Sequence, residues 1–317
     1  MPKGLSLVLL ILSSSPVAPQ TPRRPYPGPI IDVHLHSFAD SAPLDEVWAK
    51  DRPNPVTGRP NAMVTGADLR VATLAELVRA NITVALVSGE GSPDWAASSA
   101  GRIIPGHQVL DATCAFTPLD SIRAGIEAGT IRFLGEIMGQ YCGLTLDDPR
   151  FEPYLALAEE ADIPVLVHTG ISFSGITYQD CCRHFRTSLG SPATVEDALA
   201  RHPKLRLDLM HAGGPFREAT LAIMYVYPNV YADLGVSTWF DKGDFQDLKT
   251  LIDAGLGDRL MFGTDQMVWP EAIPMAVDKL SHATFLTAAQ RKAIFCDNAA
   301  RFLRMPTETC AANRNRQ

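Results

Sequence analysis

The chain has 317 residues, 46% of them hydrophobic and 20% charged, with a formal net charge of −7. That composition excludes a disordered chain. With no block or stripe of Lys and Arg, it also argues against nucleic acid as a partner, while a small anionic substrate held by one or two local arginines stays open.

In chain order, Lys3 precedes an apolar run from Leu5 to Leu12, and small residues follow up to Ala18. This is the three-part pattern of a secretory signal peptide over residues 1–20. The run is too short to span a bilayer, and no later segment is apolar enough, so no stable membrane insertion is expected. Export to the periplasm or beyond is the expectation, with a cytoplasmic location if the signal is not functional. The stretch PVAPQTPRRPYPGP is proline-rich and aperiodic, giving a linker over residues 21–29. One folded domain is expected over residues 30–304 and a loose polar tail over 305–317.

Eight strands are predicted: Ile31–His34, Ile82–Ser88, Ile103–Val109, Ile131–Glu136, Pro164–His168, Leu205–His211, Val230–Leu234 and Arg259–Thr264. Helical patterns alternate with them, among them Leu69–Ala80, Pro153–Ala161, Thr194–Arg201, Phe216–Tyr227 and Phe245–Ala254. Continuous apolar strands alternating with amphipathic helices signal a parallel sheet covered by helices. Eight such units predict an α/β fold of the (β/α)8 TIM-barrel class. The absence of GxGxxG after the first strand speaks against a dinucleotide fold. The first βα loop, residues 37–68 with Trp48, is long enough for a lid.

The strand ends carry the chemistry. Strand 1 reads IIDVHLH, and residues two apart on a strand share a face, so His34 and His36 aim into one space. Strand 4 ends at Glu136, strand 5 at His168, strand 6 at His211 and strand 8 at Asp265. In a parallel barrel all these ends meet at one mouth. A single His after an apolar strand is most often a hydrogen-bonded core residue. Several independent strands each ending in a ligand-type residue point instead to a metal site.

The ordered set DVHLH, PVLVHTG, LMHAGG, FGTD and DNAARFL resembles the amidohydrolase superfamily over residues 30–304. It is most similar to the branch with aminocarboxymuconate-semialdehyde decarboxylase-like enzymes and small lactonases. The resemblance implies a divalent metal, most often zinc, held by His34, His36, His168 and Asp265. His211 then binds a second ion or polarises the substrate. The attacking group implied is a metal-activated water, with Asp265 moving its proton. Glu136 has two readings: a bridge between two ions, or an acceptor that orients a ligand histidine. The expected cofactor is thus one or two divalent ions.

After strand 5, Arg183 and Arg186 flank His184 and are candidate clamps for a substrate carboxylate. Tyr141, Tyr178 and Trp269 are candidate pocket walls. His107, His184, His202 and His282 are read as non-ligands, with His202 capping a helix end. The six cysteines lack CxxC spacing, which speaks against a zinc knuckle. Either Cys142 bridges to Cys181 or Cys182, or most of the thiols are free and buried.

The expected activity is hydrolysis of a C–O or C–N bond (ester, lactone or amide) in a small molecule. A decarboxylase of the same architecture acting on a small carboxylate is the alternative, and a non-catalytic binding barrel the third. Phosphoester hydrolysis follows only from the two-ion option. The protein is expected to be a monomer or homodimer.

Overall fold

The computed structural model of the chain describes residues 26–44, 53–60, 63–240 and 245–311. The predicted signal segment, Trp48 in the first loop and the last six residues of the predicted tail lie outside the described residues.

Eight strands occur among the described residues: β1 (Ile30–His36), β2 (Ile82–Ser88), β3 (Ile103–Pro105), β4 (Leu134–Ile137), β5 (Val165–His168), β6 (Leu207–Met210), β7 (Val230–Asp233) and β8 (Leu260–Met261). A helix follows each: α1 (Gly66–Arg79), α2 (Ser92–Ser98), α3 (Leu119–Glu127), α4 (Glu152–Glu160), α5 (Glu196–Arg201), α6 (Arg217–Val226), α7 (Gln246–Asp253) and α8 (Ala272–Ser281). Local sequence explains the starts. Thr65 caps α1 in a reciprocal box with Asp68. On α8 the buried residues Ile273, Ala276, Val277 and Leu280 form the inward stripe.

All strand pairs are parallel, in two ladders ordered β1-β2-β3 and β4-β5-β6-β7-β8. Isolated parallel bridges join them on both sides, His107 to Leu134 and Leu35 to Gln266. The second junction is reinforced by backbone bonds from Val33 N to Phe262 O, Asp265 N to His34 O and His36 N to Gln266 O. The result is the predicted (β/α)8 barrel.

Several strands are shorter than predicted. β3 stops at Pro105, and past it the backbone pairs with the run before β4, Arg132 N donating to Pro105 O. β8 keeps only two residues on β7, because from Phe262 onward its backbone turns to β1. The end of the expected linker is packed: Tyr26 stacks on Phe295 at 4.7 Å. The first part of the expected tail is held too, since Cys310 is buried and bonded to Cys296.

The cysteine expectation is corrected. Cys142 pairs with Cys114, not with Cys181 or Cys182, which bond to each other. All six cysteines are bonded. The loops after β3 and β4 lie side by side, which brings Cys114 within 5.7 Å of Cys142 between Cα atoms.

Candidate metal centre

Six side chains from five strand ends converge at the mouth of the barrel, as predicted. His34 and His36 lie on β1, Glu136 on β4 and His168 on β5, while His211 and Asp265 sit just past β6 and β8. Both of the last two have positive φ, 63° and 51°, a conformation that non-glycine residues adopt at a cost and that recurs where a functional group must be aimed.

Glu136 stands at the centre. Its Oε2 is 3.2 Å from His36 Nε2 and 3.6 Å from His34 Nε2. Its Oε1 is 2.6 Å from His168 Nδ1 and 3.4 Å from His211 Nε2. Asp265 Oδ1 closes the first group, 2.9 Å from His36 Nε2 and 3.2 Å from His34 Nε2. Two donor sets share this one carboxylate: His34, His36, Glu136 and Asp265, then Glu136, His168 and His211, each with ligand atoms within 4.8 Å of one another.

The donors fit a divalent ion. The set is imidazole and carboxylate, the ligand types of zinc and manganese. Nε2 of His34 is buried and hydrogen-bonded to nothing among the described residues, although two carboxylates stand close to it.

The electrostatics of the cluster follow from burial and crowding. Burial would raise the Glu136 carboxyl, but the His168 and His34 imidazoles outweigh it and hold it well below the usual range. Asp265 is likewise held low against burial, by His34 and His36. Burial would depress His36, yet bonds to Asp265 and Glu136 carry it up to about 9. His34 and His211 are raised in the same way, His34 chiefly by Asp233 and His211 chiefly by Glu136. His168 goes down, because burial exceeds what Glu136 returns.

Asp233, at the end of β7, is not singled out by sequence alone. Its Oδ2 lies 3.1 Å from His34 Nδ1, and its Oδ1 accepts from the backbone N–H of His211 and Gly235. It therefore orients the His34 ring and ties down the backbone of His211. The available signal was the same as for Asp265, a carboxylate closing an apolar strand. Asp32, two residues before His34, accepts from Thr264 Oγ1 at 2.7 Å, and burial pushes its carboxyl up to about 7.

The remaining candidates divide. Tyr141 packs edge-on to His168 at 5.3 Å and its hydroxyl bonds Ser172 at 2.9 Å, so it walls the site. Tyr178 is 83% exposed and Trp269 packs against the core. The structure does not bring Arg183 and Arg186 to the cluster: both are exposed, Arg183 pairs with Asp180, and Arg186 donates to the carbonyls of Arg183 and Phe185. Local partners in the same loop satisfy them. His202 bridges Glu152 and Glu159 of α4, a structural role as expected.

Comparison with known proteins agrees with this geometry. A 115-residue stretch is 27% identical to protein fluG of Emericella nidulans, covering 36% of this chain and 12% of that protein. The chain thus spans a small part of that relative. Among solved structures, a TIM-barrel protein of Bordetella bronchiseptica superposes with TM-score 0.64 at 16% identity, covering 87% of this chain and 99% of its own. A probable 2-pyrone-4,6-dicarboxylic acid hydrolase of Acinetobacter baumannii gives 0.59 at 14%, covering 87% and 99%. A 5-carboxyvanillate decarboxylase of Novosphingobium aromaticivorans, complexed with manganese, gives 0.59 at 13%, covering 87% and 96%. At these identities the likeness speaks for the fold. The family model for amidohydrolases matches residues 31–305, nearly the whole described barrel. This chain, with a divalent-metal site at the mouth of its barrel, belongs to the amidohydrolase family.

Proposed function

We propose that the protein is a metal-dependent hydrolase acting on an ester, lactone or amide bond of a small molecule. The observation that supports it most is the division of one carboxylate, with Glu136 Oε2 turned to His34 and His36 and Oε1 to His168 and His211. A carboxylate so placed could be shared by two cations, one with His34, His36 and Asp265 and one with His168 and His211, an arrangement suited to adding water to a carbonyl. When bound, such ions supply Lewis acidity and make water more acidic near neutral pH.

The chain's own residues do the rest. Asp265, ionised at the edge of the cluster, takes the proton of the attacking water and passes it to the leaving group. Where a single ion is bound, His211, the most accessible of the four imidazoles with its side chain 15% exposed, is free to meet the carbonyl oxygen as charge develops there. The imidazole-rich set favours zinc, while the decarboxylase from Novosphingobium aromaticivorans carries manganese. We further propose export, supported by the signal-like N-terminus and the three disulfides among the described residues.

Decarboxylation of a small carboxylate is the second reading, favoured by the decarboxylase among the similar structures. A screen of metal-reconstituted protein over lactones, esters, N-acyl compounds and aromatic carboxylates separates the two, if acid release and carbon dioxide are both read. Carbon dioxide release as the sole reaction overturns hydrolysis. Asp265→Asn is expected to keep much of the metal and lose most turnover. Near-normal turnover in that variant removes Asp265 from the proton-transfer role.

A further inference from the structure

His168 presents one nitrogen to the cluster. Its Nδ1 lies 2.6 Å from Glu136 Oε1 and 3.1 Å from His211 Nε2. The other nitrogen, Nε2, is buried and has no hydrogen-bond partner among the described residues. A histidine that gives Nδ1 to a metal carries its proton on Nε2, and such an N–H is regularly held by an acceptor that fixes the ring.

A second unpartnered atom lies in the same place. Gln140, in the short 3-10 turn after β4, is 3% exposed. Its Nε2 reaches Gly170 O at 3.5 Å, while its Oε1 is buried without a partner. Gly190 makes room for that oxygen, because a Cβ there would come within 2.6 Å of it. His168 and Gln140 line one small cavity with Thr145, Thr169 and Thr194, which leaves about 10 Å³ for the centre of a water-sized sphere. That is room for one water molecule.

The threonines fix the polarity of this space. Thr145 donates to Asp147, Thr169 to the carbonyl of Met210 and Thr194 to the carbonyl of Ser191. Each hydroxyl thus has its proton engaged elsewhere and can act only as an acceptor. With a metal on Nδ1, His168 Nε2–H is the donor among the side chains, and Gln140 Oε1 and the threonine oxygens are the acceptors. One water accepting from His168 and donating to Gln140 and a threonine makes about three bonds, the usual number for a buried water.

We propose that Gln140 is a positioning residue for the metal ligand His168, acting through one buried water that holds the ring with Nδ1 toward the cluster. This rests on the metal reading above. The test compares zinc affinity, by chelator competition on the full chain, in wild type, Gln140→Met and Gln140→Glu, together with the ¹⁵N shifts of the His168 ring. Both variants lose the donor to Gly170, and only Met also loses the acceptor. Gln140→Met is expected to bind zinc about 10-fold more weakly or worse and to lose the single Nε2–H tautomer, with Gln140→Glu close to wild type. Unchanged affinity in Gln140→Met, or equal losses in both variants, overturns the proposal and leaves the metal reading intact. Wild-type protein that binds no divalent ion overturns both. If Gln140→Met does not fold, a high-resolution structure of the zinc-loaded wild type decides. A water within about 3 Å of His168 Nε2 and Gln140 Oε1 supports the role, and a cavity without one overturns it.

Discussion

Asp233 Oδ2 lies 3.1 Å from Nδ1 of His34, with both side chains fully buried. The carboxylate fixes which nitrogen of the ring faces the cluster, and does so from β7, on the far side of the β8 ladder from β1. Removing its charge while keeping its shape is expected to loosen the ligand. Asp233→Asn is predicted to lower metal affinity about 10- to 100-fold, read by competition with a chromophoric chelator. Affinity equal to wild type would show that His34 is oriented by something else.

Gly235 and Gly263 leave the space in which that pair sits. A Cβ on Gly235 would lie 2.5 Å from His34 Nδ1 and 2.9 Å from Asp233 Oδ1. Gly235→Ala is therefore expected to push the ring off its acceptor, costing about 1–3 kcal/mol of stability along with metal uptake. Thermal melts with metal analysis check this, and a variant that melts and loads like wild type refutes it.

Metal loading and pH are linked with a definite sign. In metal-free protein His34, His36 and His211 bind protons more tightly than the unfolded chain does. Their contribution to stability is complete below about pH 6.5 and fades as pH rises, for His36 through about 9. Glu136 and Asp265 are depressed, so theirs is present above the ordinary carboxylate range and lost on acidification. A bound ion replaces the imidazole protons, so its stabilisation grows with pH. The gap in Tm between metal-loaded and chelator-treated protein is expected to be wider near pH 8.5 than near pH 6. A gap that narrows with pH would falsify this account of the cluster.

The disulfides make a separate prediction. Cys114–Cys142 closes 28 residues and Cys296–Cys310 closes 14. Loop-closure entropy assigns each about 3–4 kcal/mol. Peptide mapping without reduction is expected to recover both, plus a peptide with Cys181 bonded to Cys182. Each Cys→Ser pair is expected to lower the denaturation midpoint. Recovery of Cys142 joined to Cys181 or Cys182 contradicts this pairing.

Much of the site is legible in the sequence because the fold puts ligands where apolar runs stop. His34, His36, Glu136, His168, His211 and Asp265 each close or follow such a run, and the structure gathers all six. Asp233 carries the same local signal, but its job depends on facing His34 across the barrel, which no local pattern states. Gln140 is hidden for a like reason, since its meaning comes from a cavity shared with β5. Arg183 and Arg186 show the converse: the loop holds its own acceptors, which satisfy both. Cysteine connectivity is combinatorial and follows only from which loops end up adjacent.

The two ladders divide the ligands as well as the strands. His34 and His36 come from the three-stranded sheet, and the other four donors come from the five-stranded sheet or just past its strands. The set of His34, His36, Glu136 and Asp265 is complete only where the two ladders meet, whereas Glu136, His168 and His211 all belong to the five-stranded side. A shared ion would act as a clasp between the beginning and the end of the barrel, fastened where Leu35 meets Gln266. Ion binding and the pairing of the first and last strands would then reinforce each other.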